Sequence, residues 1–418
     1  MEEEEEDDFT AMVDDDDELV LELVSIEEAE GSRRRNNRPP KEIRPRDHGS
    51  GDTRIRLDYF CEKPVYNDFQ FRRRFRMRRH VVERLVEAVT AVDPYFMYKY
   101  DALHQTPLTG LQKVVASLRI LAYGLPSDAV DEYVRIGEST ARQALQHFCA
   151  AVVKVFGDYY VRAPNTNDVA RLLQIGEDRG FPGMLGSIDC MHWEWKNCPI
   201  GWRGMFTGRS KHPTMILEAV ASKDLHIWHA YFGMPGSCND INMLHRSPVF
   251  SSYVQGQATP VSFAVNGNTY NMGYYLADGI YPEWPTFVKT VRHPMETKTK
   301  HFAKCQEGAR KDIERVFDVL QTRWGVLRGP TYGWDRANLS AIMQACIIMH
   351  NMIVEDEGPG ARNTSFDRVG QLAVPYRNTQ ERNEFIQAHH RLRNWTAHHQ
   401  VQYDLIEHQW VRLGVNAE

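Results

Sequence analysis

Hydrophobic residues recur at helical spacing between about residues 66 and 156. The repeat is clearest in Val82, Leu85, Val86 and Val89. Three further helical patterns follow, separated by breaks at Gly124–Pro126 and Gly137–Ser139: LQKVVASLRILAYG, PSDAVDEYV and ESTARQALQHFCAAVVKVF. Such spacing predicts amphipathic helices, and the short break before the last segment predicts a helix-turn-helix-like arrangement.

The last of these helices carries polar residues on its predicted outer face. It begins at Glu138 or Ser139 by the capping pattern, so Arg142 and Gln143 point away from the core. We predict these two residues as candidates for contacts in a DNA groove. A plain helical bundle that packs on the following domain is the alternative.

After Pro164 the pattern changes to short apolar runs that are typical of strands. GMLGSID predicts a buried strand ending at Asp189, and TMILEAVAS and HIWHAYFG predict a hairpin around Lys223–Leu225. A helix follows, with Asn239 or Asp240 as its N-cap. The next strand, in GYYLAD, ends at Asp278.

Two helical patterns close this region. Residues 308–324 place Ile313, Phe317, Leu320 and Trp324 on one stripe, and NLSAIMQACIIMHNMIVED predicts an apolar helix in which His350 is a core residue. Three strands, a helix, a strand and then helices predict an α/β fold with an RNase H-like mixed sheet. The first and fourth strands of that fold are neighbours, so Asp189 and Asp278 are expected to meet at one edge.

The same patterns predict the domain organisation. Residues 1–60 are expected to form a disordered acidic segment followed by a basic linker, and residues 61–163 a helical, helix-turn-helix-like domain. Residues 164–356 are expected to form the mixed-sheet catalytic domain. Residues 357–418 are expected to form a linker and a peripheral helix.

Three acidic residues are placed where a metal site can form. Asp189 and Asp278 end predicted strands, and Glu314 lies on the helix that follows. Three such carboxylates can bind divalent cations, which activate water for attack at phosphorus. Each acid alone also has a structural explanation: turn capping for the two aspartates, and an ion pair with Arg310 or Lys311 for Glu314. Together they favour a metal-dependent nuclease site.

The charge distribution agrees with a polyanionic partner. The net charge is −6, but residues 1–30 contain 16 Asp or Glu and no Lys or Arg. Residues 31–418 therefore carry 50 basic and 40 acidic residues, a formal charge of +10. A basic body suits nucleic acid. The acidic head is expected to be a solvated segment, with shielding of the basic surface or partner binding as alternatives.

Other features of the chain exclude several classes of protein. No apolar run approaches the roughly 20 residues of a membrane span, so no membrane partner is expected. MEEEEEDD does not resemble a secretory signal. The seven Cys are scattered without C-x-x-C spacing, which argues against a disulfide framework or a zinc knuckle. Basic runs at Arg33–Arg35 and Lys41–Arg46 are candidates for nuclear import.

Aromatic and basic residues are also interleaved after the first predicted strand. Trp193, Trp195 and Trp202 occur close to Lys196 and Arg203. Aromatic rings beside cations can stack on flipped or single-stranded bases. Core packing is the alternative for the tryptophans.

Several long segments, in order between about residues 60 and 356, resemble plant PIF/Harbinger-type transposases and the domesticated nuclear proteins derived from them: GSIDCMHWEWKNCP, FTGRSKHPTMILEAVAS, GMPGSCNDINMLHRSPVF, MGYYLADGIYP and RKDIERVFDVLQTRWGVLRGP. The resemblance implies a DDE-type nuclease in which Asp189, Asp278 and Glu314 hold two Mg²⁺ or Mn²⁺ ions. It leaves Asp240 as either a fourth carboxylate ligand or a helix cap.

The spacing within the matching segments agrees with this resemblance. Thirty-five residues separate Asp278 from Glu314, and Arg310 stands four before Glu314, as in related transposases. Where such enzymes often carry Lys or Arg seven positions after the Glu, this chain has Gln321, with Arg323 nearby. Arg310 and Arg323 are therefore candidates for DNA contacts, although binding of the terminal phosphate is expected to differ.

The resemblance implies a nuclear enzyme that cleaves DNA at transposon ends and then joins them to target DNA. It also implies a homo-oligomer and a separate Myb-like DNA-binding partner. The alternative from another class is a domesticated, catalytically silent nuclear protein that binds chromatin or regulatory partners.

Overall fold

The computed structural model describes residues 46–98, 107–239, 243–244, 246–250, 259–358 and 395–415. The acidic segment of residues 1–30 lies outside the described residues. The α-helices are α1 (His48–Ile55), α2 (Asp68–Phe75), α3 (Arg79–Val92), α4 (Gly110–Tyr123), α5 (Asp131–Val134), α6 (Glu138–Tyr160), α7 (Thr166–Asp178), α8 (Arg203–Phe206), α9 (Thr297–Arg323), α10 (Arg336–Glu357) and α11 (Trp395–Val415). The strands are β1 (Met184–Glu194), β2 (Thr214–Ala221), β3 (Ile227–Pro235), β4 (Phe263–Val265), β5 (Asn268–Tyr270), β6 (Tyr274–Ala277) and β7 (Phe287–Lys289).

The helical region forms where the hydrophobic pattern predicts it. A capping box begins α4, because the side chains of Thr109 and Gln112 accept hydrogen bonds from each other's backbone N–H groups. Gly124 ends this helix with a φ of 66°, a conformation that glycine adopts without steric cost. Helix α6 begins at Glu138, as predicted.

The main sheet has the strand order β3-β2-β1-β6-β7. The pairs β1–β2 and β2–β3 are antiparallel, whereas β1–β6 and β6–β7 are parallel. The predicted β2–β3 hairpin is confirmed, with Leu225 at a φ of 72° in its turn. The prediction that the first and fourth strands of this sheet are neighbours is also confirmed, since β6 pairs with β1. The fold is thus a mixed α/β structure.

A second, two-stranded sheet was not predicted. Strands β4 and β5 form a hairpin through Asn266 and Gly267, whose φ values are 49° and 80°. Asn-Gly is the strongest short signal for a two-residue hairpin turn, so the sequence contained it. The strands are only three residues long, which leaves too little alternation to recognise.

One hydrophobic core connects the helical region with the main sheet. Its buried side chains come from α3, α6, β1, α9 and α10, for example Leu85, Phe148, Trp193, Leu320 and Ile347. Helix α10 is the one helix among the described residues that is long and apolar enough to span a membrane. Of its most apolar 18-residue stretch, 61% is buried inside the protein. It packs against α6 and β3, which is the position of a core helix.

Helices α9 and α11 pack together beside the sheet. Helix α9 begins at Thr297, before the predicted start at residue 308, because Phe302 and Gln306 continue its buried stripe. Helix α11 buries Val401 and Leu405 in the cluster that contains Phe302. More of α11 is therefore buried than its polar sequence indicates, while residues 359–394 of the predicted linker and helix lie outside the described part of the chain.

Candidate active site

Asp189 lies within β1, with its carboxylate facing helix α9. One carboxylate oxygen, Oδ2, accepts a hydrogen bond from Arg310 Nη1 at 2.9 Å, and the side chain is 21% exposed. The strand continues to Glu194 and pairs with β2 along that length. The prediction that the strand ends at Asp189 is therefore wrong, as is the turn suggested after it. The alternation of buried Met191 and Trp193 with more exposed neighbours carries the strand onward.

Asp278 directly follows β6, as predicted. Strands β1 and β6 are parallel with Ser187 opposite Leu276, and two more residues in this register place Asp278 opposite Asp189. The backbone N–H of Gly279 donates to Asp278 Oδ1 at 2.5 Å. Arg292 Nη2 donates to the Gly279 carbonyl at 2.6 Å, so it holds the turn after the aspartate.

Glu314 comes to the site on helix α9, which buries Ile313 and Phe317 against the core. Arg310 lies one helical turn earlier. Its Nη2 donates to Glu314 Oε1 at 2.7 Å, while its Nη1 donates to Asp189. A single guanidinium thus bridges the acid of β1 and the acid of α9, and the ion pair that sequence reasoning offered as the structural explanation for Glu314 is present.

The donor set has the chemistry of a divalent cation site, because carboxylate oxygens are ligands that Mg²⁺ and Mn²⁺ prefer. The acids come from β1, from the end of β6 and from α9. As arranged, no three His, Cys, Asp or Glu side chains of the described residues are grouped to hold a metal ion. Arg310 supplies the positive charge between Asp189 and Glu314, so an ion bound by both acids requires its guanidinium to move. Asp240, the predicted fourth ligand, lies outside the described residues.

The predicted groove-binding residues are on the surface of α6. Arg142 and Gln143 are both exposed. Arg142 Nη2 pairs with Glu138 Oε1 at 2.6 Å on the same helix, an exposed pair of small energetic consequence. Their DNA contacts stay a prediction.

Arg323 lies in a different setting from the one predicted. Its side chain is 17% exposed, and burial lowers its pKa. Its Nη1 donates to His350 Nδ1 at 3.1 Å, and its Nη2 lies 3.6 Å from Glu357 Oε2. The His350 ring is fully buried, and its other nitrogen lies 2.8 Å from the Leu225 carbonyl. Arg323 thus connects α9 to α10, and His350 is the core histidine that the sequence predicts.

Two of the three tryptophans near Asp189 belong to the core. Trp193 and Trp195 are buried, and their indole N–H groups donate to the carbonyls of Gly329 and Gly333 at 3.0 and 2.8 Å. Trp202 is partly buried. The core interpretation is therefore confirmed for Trp193 and Trp195.

The nearby cations are solvent-exposed. The side chains of Lys196 and Arg203 face solvent, as a DNA contact requires. The large exposed aromatic residues on this side are instead Tyr332 and Trp334, which are 64% and 68% exposed. Sequence reasoning missed them, although they lie in GPTYGWD, a Gly- and Pro-containing loop in which no periodicity buries a ring.

Comparison with known proteins finds similarity to plant transposon proteins. A family model described as plant transposon protein matches residues 158–361, and a domain of unknown function matches residues 51–90. From Arabidopsis thaliana, the protein named Protein ALP1-like is 24% identical over 255 residues, which cover 60% of this chain and 62% of that protein. The protein named Antagonist of like heterochromatin protein 1, from the same organism, is 23% identical over 253 residues, covering 59% and 63%.

The chain spans somewhat less than two thirds of the length of these two relatives. No solved structure matches it. The matched region begins in α6 and ends just beyond α10, and so it contains all three acids of the site. Residues 158–361 are thus similar to the plant transposon protein family, and the similarities together support a Harbinger-type transposase-derived protein.

Proposed function

We propose that the protein is a metal-dependent DNA nuclease of the transposase type. Two observations support this proposal: the β1–β6 register, continued by two residues, sets Asp189 opposite Asp278, and Arg310 joins Asp189 to Glu314. The strand order, three antiparallel strands followed by two parallel ones beside the first, supports the RNase H-like interpretation.

In this proposal Asp189, Asp278 and Glu314 hold Mg²⁺ or Mn²⁺ next to the scissile phosphate. The bound ions would supply the Lewis acidity that activates water and stabilises the leaving 3′ oxygen. Asp278 is exposed and Glu314 is 44% exposed, so a DNA backbone can reach both carboxylates. Asp189 is more buried and is held on a central strand, which fixes the position of the site.

Arg310 has two roles in this site. Without metal it neutralises part of the repulsion between Asp189 and Glu314, which would otherwise destabilise the fold. Once released by a bound cation, its guanidinium remains within one helical turn of Glu314 and can bind a phosphate oxygen. This agrees with the predicted DNA contact of Arg310.

DNA is the proposed partner, with transposon ends and target DNA bound successively. Lys196 and Arg203 are exposed and suit contacts with the phosphate backbone. We also propose a nuclear location, a homo-oligomer that holds two element ends, and a Myb-like protein that assists recognition. Support for a nuclear setting comes from the name of one relative, which refers to heterochromatin protein.

The second candidate is a domesticated, catalytically silent nuclear protein that binds chromatin or regulatory partners. Two observations favour it: the cation between Asp189 and Glu314 is already supplied by Arg310, and a relative is named as an antagonist of like heterochromatin protein 1. The retained acids favour the nuclease.

Mg²⁺- or Mn²⁺-dependent nicking of labelled DNA that carries candidate element ends tests the proposal. We expect wild-type protein to cut and Asp278→Ala to lose cutting. Asp318→Ala is the matched control, because Asp318 is exposed on α9 one turn beyond Glu314 and should leave cutting intact. If wild-type protein binds DNA or chromatin partners but never cuts, even with a Myb-like partner supplied, the silent interpretation replaces the nuclease.

A further inference from the structure

The loop between α9 and α10 presents two aromatic side chains to solvent. Tyr332 is 64% exposed and Trp334 is 68% exposed. Large aromatic side chains usually bury most of their surface, because each contributes a large apolar area. Two of them in one short surface loop form an exposed aromatic pair that a ligand can cover.

The backbone of this loop is held rigidly against the end of β1. Thr331 N donates to the Glu194 carbonyl at 2.8 Å, and Lys196 N donates to the Thr331 carbonyl at 2.9 Å. The buried Trp195 donates to the Gly333 carbonyl at 2.8 Å. Asn197 Nδ2 donates to the Tyr332 carbonyl at 2.9 Å. These bonds fix the backbone carbonyls of Thr331, Tyr332 and Gly333, so a ligand has to order little of the loop when it binds.

The segment beside this loop is basic. Residues 195–213 contain four Lys or Arg and no Asp or Glu. The four cationic side chains are exposed, and none forms an ion pair within the part of the chain that the structure describes: Lys196, Arg203, Arg209 and Lys211. Asp335, the one acid of the aromatic loop, is already engaged in capping α10 at Ala337 N.

Trp195 joins the aromatic loop and the basic segment into one surface. Besides its bond to Gly333, its backbone N–H donates to the Pro213 carbonyl at 2.8 Å, at the far end of the basic segment. Its ring contacts Trp202 and Phe206, which flank Arg203, at centroid distances of 6.0 and 5.0 Å. The unpaired cations and the exposed rings therefore surround the same buried residue.

We propose that this surface binds single-stranded DNA, with Tyr332 and Trp334 stacked on unpaired bases and Lys196, Arg203, Arg209 and Lys211 along the phosphates. Stacking requires free base faces, which a closed duplex does not offer, whereas unpaired cations without nearby acids suit any phosphate backbone. Unpaired bases therefore account for the exposure of the two rings, and the DNA phosphates account for the four unpaired cations.

The inference rests on the proposed function and deepens it. Lys196 follows Asp189 by seven residues of extended chain, so the two lie roughly 20 Å apart at about 3.3 Å per residue. At about 3.4 Å per nucleotide along one strand, this corresponds to roughly six nucleotides. One DNA strand can thus contact this surface while its scissile phosphate lies at the three acids.

Binding of a fluorescein-labelled single-stranded oligonucleotide, measured by anisotropy in EDTA, tests the inference without any cleavage. We expect the double variant Tyr332→Ala with Trp334→Ala to lose roughly tenfold or more in affinity per residue. The double variant Tyr332→Phe with Trp334→Phe keeps both rings and should bind within a few-fold of wild type. Phe69→Ala removes another exposed ring, on α2, and should change nothing.

A duplex of the same sequence provides the second arm of the experiment. We expect the alanine variant to bind the duplex nearly as well as wild type does. Wild-type affinity of the alanine variant for the single strand overturns the inference and assigns the rings to a protein contact instead. Equal losses for single strand and duplex, or no rescue by phenylalanine, overturn it as well.

The EDTA condition separates this inference from the nuclease proposal. If the wild type never cuts DNA but shows ring-dependent binding of the single strand, the nuclease proposal fails and the binding surface stands. If the wild type cuts and the alanine variant binds the single strand normally, only the surface fails.

Discussion

Two basic segments of this protein use their cations in opposite ways. Six arginines lie between Arg72 and Arg79, and three of them pair with carboxylates: Arg72 with Glu357 at 2.5 Å, Arg78 with Asp356 at 3.6 Å and Arg79 with Asp68 at 3.1 Å. In residues 195–213 the density of cations is lower, but none of the four has a carboxylate partner among the described residues.

The remaining contacts of the arginine-rich segment are also internal. Arg74 lies 3.9 Å from the centre of the Tyr66 ring, and Arg76 lies 5.0 Å from that of Tyr123. Arg76 also donates to the Ala122 carbonyl at 3.2 Å. The segment thus connects neighbouring helices. Its pairs with Asp356 and Glu357 lie at the C-terminal end of α10, where the helix dipole favours cations. We therefore expect the partners of a cation, more than its density in the sequence, to decide whether DNA can bind it.

Neutralising the unpaired cations should have the largest effect. We expect the combined variant Lys196→Ala, Arg203→Ala, Arg209→Ala and Lys211→Ala to lose at least about a hundredfold in DNA affinity at about 50 mM salt. Each lost phosphate contact removes about 0.9 from the slope of log affinity against log salt for duplex DNA and about 0.7 for a single strand, so the slope should shrink by about 3 to 4. Anisotropy titrations over a range of salt concentrations measure both quantities.

The control for that variant removes the same charge from arginines with internal partners in the other segment: Arg72→Ala, Arg74→Ala, Arg78→Ala and Arg79→Ala. Its slope should stay close to that of the wild type. Equal losses from the two variants would show that internal pairing does not keep DNA from the arginines.

Arg323 provides a sharper test of the same rule, because the sequence predicted it as a DNA contact. Arg323→Met keeps most of the side-chain volume and removes the bonds to His350 and Glu357. We expect the free energy of unfolding to fall by about 1–3 kcal/mol, because buried partners lose their hydrogen bonds. The salt slope of DNA binding should not change.

Denaturant unfolding and anisotropy on the same preparation separate the two outcomes for Arg323. A slope that shrinks by about 0.9 without a loss of stability would restore Arg323 as a phosphate contact.

The buried His350 beside Arg323 makes stability depend on pH. Burial lowers the pKa of His350 from 6.5 to about 3. Between these values the unfolded chain binds a proton that the folded protein does not, so the free energy of unfolding falls as the pH drops through this window. Above about pH 6.5 His350 is mostly neutral in both the folded and the unfolded state, so this loss of stability is absent.

Denaturant unfolding at about pH 7 and about pH 5 measures this dependence. His350→Gln can still donate to the Leu225 carbonyl but does not titrate, so its stability should vary less with pH. An unchanged pH dependence in this variant would remove His350 as the cause.

The elements with strong periodicity could be predicted from the sequence. Strands β2 and β3, helix α10 and the start of α6 lie where the pattern indicates, because burial of one face sets the spacing. The predicted end of β1 at Asp189 is wrong, because the alternation of buried Met191 and Trp193 continues beyond it. A polar residue can lie within a strand without ending it when a neighbouring helix supplies its partner, as α9 supplies Arg310 to Asp189.

Contacts between distant segments could not be predicted. Nothing local distinguishes Arg310, Arg323 and Arg203, yet the first bridges two acids, the second is buried against α10 and the third faces solvent. The same limit hid Tyr332 and Trp334, whose exposure depends on how their loop is bound to β1. For the candidate site, the sequence predicted which residues take part but not which residues they contact.

The smallest expected effect gives the most direct test of the rule about partners. Asp356→Asn with Glu357→Gln removes the acids that pair with Arg78 and Arg72 without changing side-chain size. Both acids are mostly buried and Glu357 also lies beside Arg323, so stability should fall by about 1–3 kcal/mol. If partners decide availability, the freed arginines should now bind phosphate, and the salt slope should steepen by up to about 0.9 for each. The matched variant Asp128→Asn, at an exposed acid without an ion pair among the described residues, should leave the slope unchanged. A slope that stays constant in the first variant would mean that position on the surface, and not pairing, keeps DNA from these arginines.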